Sequence, residues 1–182
     1  MATFGDDTAG TVNDSFLANQ FQLRKFTGFT GGAVSAMSMD ALYYQAGGKF
    51  RCFIYDANGA SGKMGALLWS STEFAMTSGM TTHAFREVTK YGGGTTNIPA
   101  QDLWLGAMFG GGVYIGDSTA GGTGLFSDSG MGISYSSTAE PSNPYATSYT
   151  STTYSILQRI YLTYTPPVVG FVGMTVTRLL QG

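Results

Sequence analysis

Charge is what this sequence has least of. Charged residues fill 11% of its 182 positions, under half the roughly 25% usual for soluble domains. Net charge is −2 with no run of like sign. That excludes an electrostatic nucleic-acid binder, which needs a basic stripe. Sparse charge also protects weakly against self-association. The sequence therefore predicts either a surface largely buried in a stable assembly or a sparsely charged monomer with scattered exposed apolar residues. One cysteine, Cys52, excludes an intramolecular disulfide. Set among apolar strand residues, it reads as a small hydrophobe. No apolar run approaches the ~18 residues of a membrane helix. Residues 1–21 show no basic stretch followed by an apolar one, so no signal peptide is expected. The expectation is a chain made in a cytoplasm, with neither membrane nor nucleic acid as partner.

Chemistry is equally scarce. The one histidine, His83, lies in a predicted strand beside Thr81 and Thr82, and no Gly-x-Ser-x-Gly elbow opens a helix. Cys52 has no helix terminus or cation nearby beyond Arg51 to make it a nucleophile. One Cys and one His do not make a zinc site. Asp6-Asp7 and the 117–128 stretch are the only calcium candidates, and neither has EF-hand spacing. Asp40, Asp56, Glu73, Glu87, Asp102 and Glu140 offer glycosidase carboxylates in number, but no spacing singles out a pair. The triplets Gly92–94 and Gly110–112 open no helix, so they do not cradle phosphate in the usual way. The sequence predicts no enzyme, no cofactor and no metal.

What is abundant points to strands and turns. There are 27 Gly, 17 Ser and 23 Thr, with 14% aromatics, and no stretch of ten residues holds a capped helical period. The stretch 102–116 carries the clearest pattern. Leu103, Leu105, Ala107 and Phe109 fall on one face, Trp104, Gly106 and Met108 on the other, and a glycine turn leads to a second strand. Neither face is polar, so both need cover. Phe50, Cys52 and Ile54 alternate with Arg51, Phe53 and Tyr55 in the same double-sided way. Phe26 falls out of step with Phe21 and Leu23, which predicts a bulge. About nine short strands separated by glycine turns predict a sandwich or jelly roll.

Three segments follow: an N-terminal arm or loop over 1–14, a β-sandwich over 15–165, and a C-terminal arm over 166–182. Pro166-Pro167 ends the last strand, because proline lacks the ladder N–H. Beyond it Val168, Val169, Phe171, Val172, Met174 and Val176 are apolar and need cover. They predict either an added edge strand or an arm on a neighbour's sheet. In and just after the long 117–153 segment, Tyr135, Tyr145, Tyr149 and Tyr154 supply rings for a sugar or a protein interface, or for packing back on the sandwich. Trp104 and Met108 lie under a loop if the sandwich is self-contained, and at a subunit contact if it is assembled.

Ile54-Tyr55-Asp56, the turn at Asn58-Gly59, Gly65-Ala66-Leu67-Leu68, and Leu103-Trp104-Leu105-Gly106 after Pro99 together resemble a known module. It is the jelly-roll β-sandwich of bacteriophage virion proteins and bacterial surface proteins. The resemblance spans 26–165 and leaves the tail after Pro167 outside. It implies an all-β, jelly-roll-like antiparallel sandwich with a structural or carbohydrate-binding role, and it transfers no enzymatic residue. The expected function is a capsid decoration (cement) protein, a homo-oligomer such as a trimer on the major capsid or other virion proteins. The alternative is a glycan-binding module of a tail fibre or surface protein.

Overall fold

The computed structural model describes residues 1–8, 12–59, 64–118, 122–127, 135–138, 152–154 and 157–168, among which there is no helix. The strands in chain order are β1 (Ala2–Gly5), β2 (Val12–Phe16), β3 (Phe21–Phe29), β4 (Gly32–Tyr43), β5 (Lys49–Asp56), β6 (Leu67–Ser70), β7 (Phe74–Ala75) and β8 (Phe85–Thr89). They continue with β9 (Thr96–Ile98), β10 (Gln101–Phe109), β11 (Val113–Ser118), β12 (Gly122–Ser127), β13 (Thr152–Tyr154), β14 (Leu157–Gln158) and β15 (Ile160–Thr165). Two antiparallel sheets result. The eight-stranded sheet runs β1-β15-β4-β11-β14, with β8 and β9 beside β4 and β2 beside β11. The seven-stranded sheet runs β13-β12-β3-β10-β5-β6, with β7 beside β5. This is the antiparallel sandwich that the sequence predicts.

Period-two alternation builds the core between the sheets. The seven-stranded sheet contributes Leu103, Leu105, Ala107 and Phe109 of β10 with Phe50, Cys52 and Ile54 of β5. The other sheet answers with Val34, Met37, Met39 and Ala41 of β4, Val113 and Ile115 of β11, and Ile160, Leu162 and Tyr164 of β15. Cys52 is fully buried, and that burial pushes its thiol far above its ordinary pKa. It packs as a small hydrophobe.

Segment 1–14 differs from the expected arm or loop. Residues Ala2 to Gly5 pair with Tyr164 to Tyr161 along the edge of β15, and β2 pairs with β11. Thr3 faces outward, while Phe4 turns in to rings of Phe26 and Phe29, with centroids at 6.1 and 5.2 Å. A small, polar composition hid this strand, because its alternation rests on one aromatic residue. The glycine-rich stretch 91–100 likewise contains a short strand, β9.

The glycine turn 110–112 does join two strands, but the strands belong to different sheets. It is a crossover. The 44–48 turn crosses back the other way, from β4 to β5, and the two crossovers touch backbone to backbone. A Cβ on Gly111 would run into the Gly47 carbonyl, and one on Gly48 into the Gly112 carbonyl. Side chains at these positions would force the turns apart.

Phe26 is out of step for a different reason from a bulge at that point. Phe21 and Leu23 face outward, so Gln22, Arg24 and Phe26 face the other sheet. The bulge comes later, between the pairs Leu103↔Phe26 and Gln101↔Phe29, where Gly28 takes φ 82°. The interior face of β3 is therefore polar at one margin, and a polar clasp joins the sheets there. Gln158 of β14 donates through Nε2 to the carbonyls of Gln22 and Leu105, at 3.1 and 3.2 Å. Asp6 accepts from Arg24 at 2.7 Å and lies 3.5 Å from Arg159. Burial alone would push the Asp6 carboxyl up. The Arg24 hydrogen bond, the Thr8 N–H and the two cationic charges outweigh it and hold the pKa below its ordinary value of 3.8.

A depressed folded pKa means that Asp6 contributes its full stabilisation above the ordinary carboxylate value and loses it as pH falls through the folded one. Asp6→Asn should cost roughly 1–3 kcal/mol at pH 7, as expected for a hydrogen bond to a charged group. The gap from wild type should close as pH falls through the lowered folded value, where the native carboxyl also becomes neutral. Denaturant melts across pH 2–7 measure both effects. A gap that stays constant with pH would show that the carboxylate charge is not what joins the sheets.

Candidate functional site

Three places gather unusual side chains: the outer face of the seven-stranded sheet, a buried acid–histidine pair, and one end of the sandwich.

The outer face is built by the second faces of β5 and β10. Register sets Tyr55 opposite Trp104, Phe53 opposite Gly106 and Arg51 opposite Met108. With Phe21 and Leu23 of β3 and Met64 from the 56–67 connection, they form a second apolar cluster, against which Ala57, Leu67 and Tyr135 pack. Trp104 is 0% and Met108 2% exposed within a single chain. Of the two predicted settings, they occupy the one under loops of their own chain. In this arrangement neither side chain offers area to a partner.

Residues 135–138 lie over the end of this face as a strap, pinned by polar contacts. The Tyr135 N–H donates to Asn19 Oδ1 at 2.7 Å, and its hydroxyl donates to Glu73 Oε2 at 2.8 Å. Lys49 Nζ sits 3.3 Å from the same Glu73 oxygen and 5.2 Å from the centre of the Tyr135 ring. Asn19 can hold its position because it adopts φ 66°, a conformation open to asparagine. Gly110 leaves the space that the Tyr135 ring fills. Arg51, fully buried, donates to the carbonyls of Ser71 and Ser136 at 2.8 and 3.1 Å and lies over the rings of Phe53 and Tyr91. Burial, the Glu73 hydrogen bond and the Glu73 charge all push the Tyr135 hydroxyl up, so it stays protonated and donating. Tyr135, predicted as a loop aromatic for sugars or interfaces, is thus a latch on its own domain.

The acid–histidine pair joins Asp40 of β4 to His83. Asp40 Oδ1 lies 3.1 Å from Nδ1, with the carboxylate fully buried and the imidazole 19% exposed. Gly116 admits the carboxylate, since any Cβ there would collide with Asp40 Oδ2. An acid orienting an imidazole is half of a catalytic unit. Four other acids are turned to structural partners: Asp6 to arginines, Asp102 to Lys25 and the Gly28 N–H, Glu73 to Lys49 and Tyr135, and Asp56 to the Asn58 N–H. Among the described residues no group of three or more His, Cys, Asp or Glu could hold a metal ion.

At the opposite end from the strap lies an open groove of about 580 Å³. The β3–β4 turn, the β9–β10 connection and the end of β15 form its walls, with Gly31, Ala33, Ile98, Pro99, Ala100 and Pro166 among the lining. Pro166 and Pro167 lie at this mouth, and Val168 next to them is 93% exposed. Val169, Phe171, Val172, Met174 and Val176, like Tyr145 and Tyr149, lie outside the described residues. A pair of rings the sequence reading missed is Tyr44 and Tyr114, with centroids 4.4 Å apart and Tyr44 39% exposed. Their placement depends on the β4–β11 pairing, which residue spacing does not encode.

No protein family, curated protein or solved structure matches this chain.

Replacing Tyr135 by Phe removes the hydrogen bond to Glu73 and leaves the ring. The expected loss is roughly 1.5–3 kcal/mol, because the acceptor is charged. Tyr135→Ala should in addition uncover the second cluster and raise binding of a dye that reports exposed apolar surface. If Tyr135→Ala melts like wild type and binds no dye, the strap does not protect this face.

Proposed function

We propose that this chain is a structural protein of a virion, a capsid decoration (cement) protein that acts as a homo-oligomer, such as a trimer, on the major capsid or other virion proteins. The observation that carries the reading is Val168, 93% exposed just past the end of β15, where the apolar stretch of the sequence up to Val176 begins. Both faces of β5 and β10 are already covered by the chain itself, so on this reading the contact with a partner is made elsewhere. The acids tied into structural contacts support a scaffold over a catalyst. The jelly-roll winding belongs to the same reading and is supported by the crossovers at 44–48 and 110–112, which pass the chain between sheets. The mechanism is area burial, worth ~25 cal/mol per Å² and repeated over many copies of a shell.

The alternative reading, a glycan-binding module, is favoured by the Tyr44–Tyr114 pair, whose exposed ring offers a stacking face.

Light scattering with and without residues 168–182 tests the first reading. The full chain should be oligomeric and the shortened one monomeric, with loss of binding to particles stripped of the protein. A monomeric full chain whose tail can be removed without affecting particle binding would sink it. Binding on a glycan array that disappears in Tyr44→Ala would replace it with the second.

A further inference from the structure

We propose that the Asn58–Gly59 turn is a site of spontaneous, irreversible deamidation, and that the change loosens the chain's own cover over the outer face of the seven-stranded sheet. The inference is independent of the oligomeric reading above.

The sequence supplies the reacting pair. Asn58 is the one asparagine followed by glycine; Asn13, Asn19, Asn97 and Asn143 precede Asp14, Gln20, Ile98 and Pro144. Cyclisation needs the backbone nitrogen of the next residue to reach the side-chain carbonyl carbon. A glycine there has no Cβ in the way and leaves the backbone the widest freedom to rotate. The fold supplies the setting. β5 ends at Asp56, so Asn58 and Gly59 stand past the ladder, and Asn58 is exposed. Bonds from the Asp56 N–H to the Ala66 carbonyl and from the Gly65 N–H to the Asp56 carbonyl join the two ends of the connection. The Asn58 side-chain amide donates to Gln101 Oε1 at 3.3 Å, just beyond the usual range for such a bond and at a position where water competes for it.

The step balances with water as its one co-reactant. The Gly59 nitrogen gives up its proton and attacks Asn58 Cγ. A bond from that nitrogen to Cγ replaces the bond from Cγ to Nδ2, and Nδ2 leaves as ammonia with the proton. The product is a cyclic imide. Water then opens the ring. Addition at Cγ gives aspartate, and addition at the backbone carbonyl carbon gives isoaspartate, with the chain rerouted through Cβ. Nothing is oxidised or reduced.

The neighbours set the consequence. Asp56 Oδ1 accepts from the Asn58 N–H at 3.0 Å, so a carboxylate at 58 adds a second negative charge to one short turn. Gln101 Oε1 loses its donor and meets an acceptor instead. The same connection carries Met64, 1% exposed, into the second apolar cluster, and Ala57 packs against it. A disturbed turn therefore acts on the cover of Trp104 and Met108.

Trypsin isolates the reaction. Cleavage after Arg51 and Lys63 releases the peptide 52–63, in which Asn58 is the only amide side chain. The full-length folded chain is aged at mildly alkaline pH, then digested and read by mass spectrometry. Peptide 52–63 should gain the mass of an amide-to-acid change, faster at higher pH because the attacking nitrogen must lose a proton. It should resolve on a column into aspartate and isoaspartate forms. Gly59→Ala, shown folded by far-UV circular dichroism, should convert several-fold more slowly. The aged form, separated from the starting one by anion exchange, should melt lower and bind more of a dye that reports exposed apolar surface. A peptide 52–63 that keeps its amide in the folded chain while the urea-unfolded chain converts would overturn the site. Converted protein that melts and binds dye like the starting form would overturn the effect on the cover.

Discussion

Strand β10 has to be covered on both faces at once, and the rest of the molecule is arranged to do it. Its inner face meets the eight-stranded sheet through Leu103, Leu105, Ala107 and Phe109. Its outer face carries Trp104 and Met108, which a single sandwich would leave in water. Each large apolar side chain moved out of water contributes ~1.5–3 kcal/mol. The second cluster, with its seven buried members, therefore outweighs the few hydrogen bonds of the strap, at ~0.5–3 kcal/mol each. Apolar burial holds the cover down. The bonds of Tyr135, Glu73 and Asn19 decide where it sits.

This division explains what was legible in the sequence. The double-sided pattern of 102–109 and 50–55 was readable because it is local, and it announced that both faces are buried. Which residues do the covering was not readable, since Met64 and Tyr135 reach the face from connections distant in the chain. The glycine turn at 110–112 was visible, but its role as a crossover depends on sheet membership, and β10 and β11 find their partners far away in sequence. Phe26 was misread for the same reason. A strand whose interior face begins with Gln22 and Arg24 looks out of phase until the Gln158 and Asp6 contacts show that polar side chains belong there. The groove had no signature at all, being made by three connections that meet only in the fold.

Scarcity of charge takes on a sharper meaning once the contacts are known. Six of the nine basic residues are engaged inside the molecule: Arg24 and Arg159 on Asp6, Lys25 on Asp102, Lys49 on Glu73, and Arg51 and Arg86 on backbone carbonyls. The Lys25–Asp102 pair is exposed enough to be worth only ~0–1 kcal/mol. The Asp6 and Arg51 contacts are largely buried, and they tie sheets and strap together. Little charge is left over to keep copies apart, so the surface resists self-association less than even the 11% charged content implies.

The two ends of the sandwich are then unequal in a way that bears on assembly. One end is closed: the 44–48 and 110–112 crossovers interlock, and Tyr135 seals the margin beside them. The other end is open, with uncharged residues around a groove and Val168 exposed beside it. On the proposed oligomeric reading, copies related by rotation about a single axis would all present the sealed end in one sense and the open end in the other. That polarity is what a protein needs if it sits on a shell by one face and presents the other to solvent.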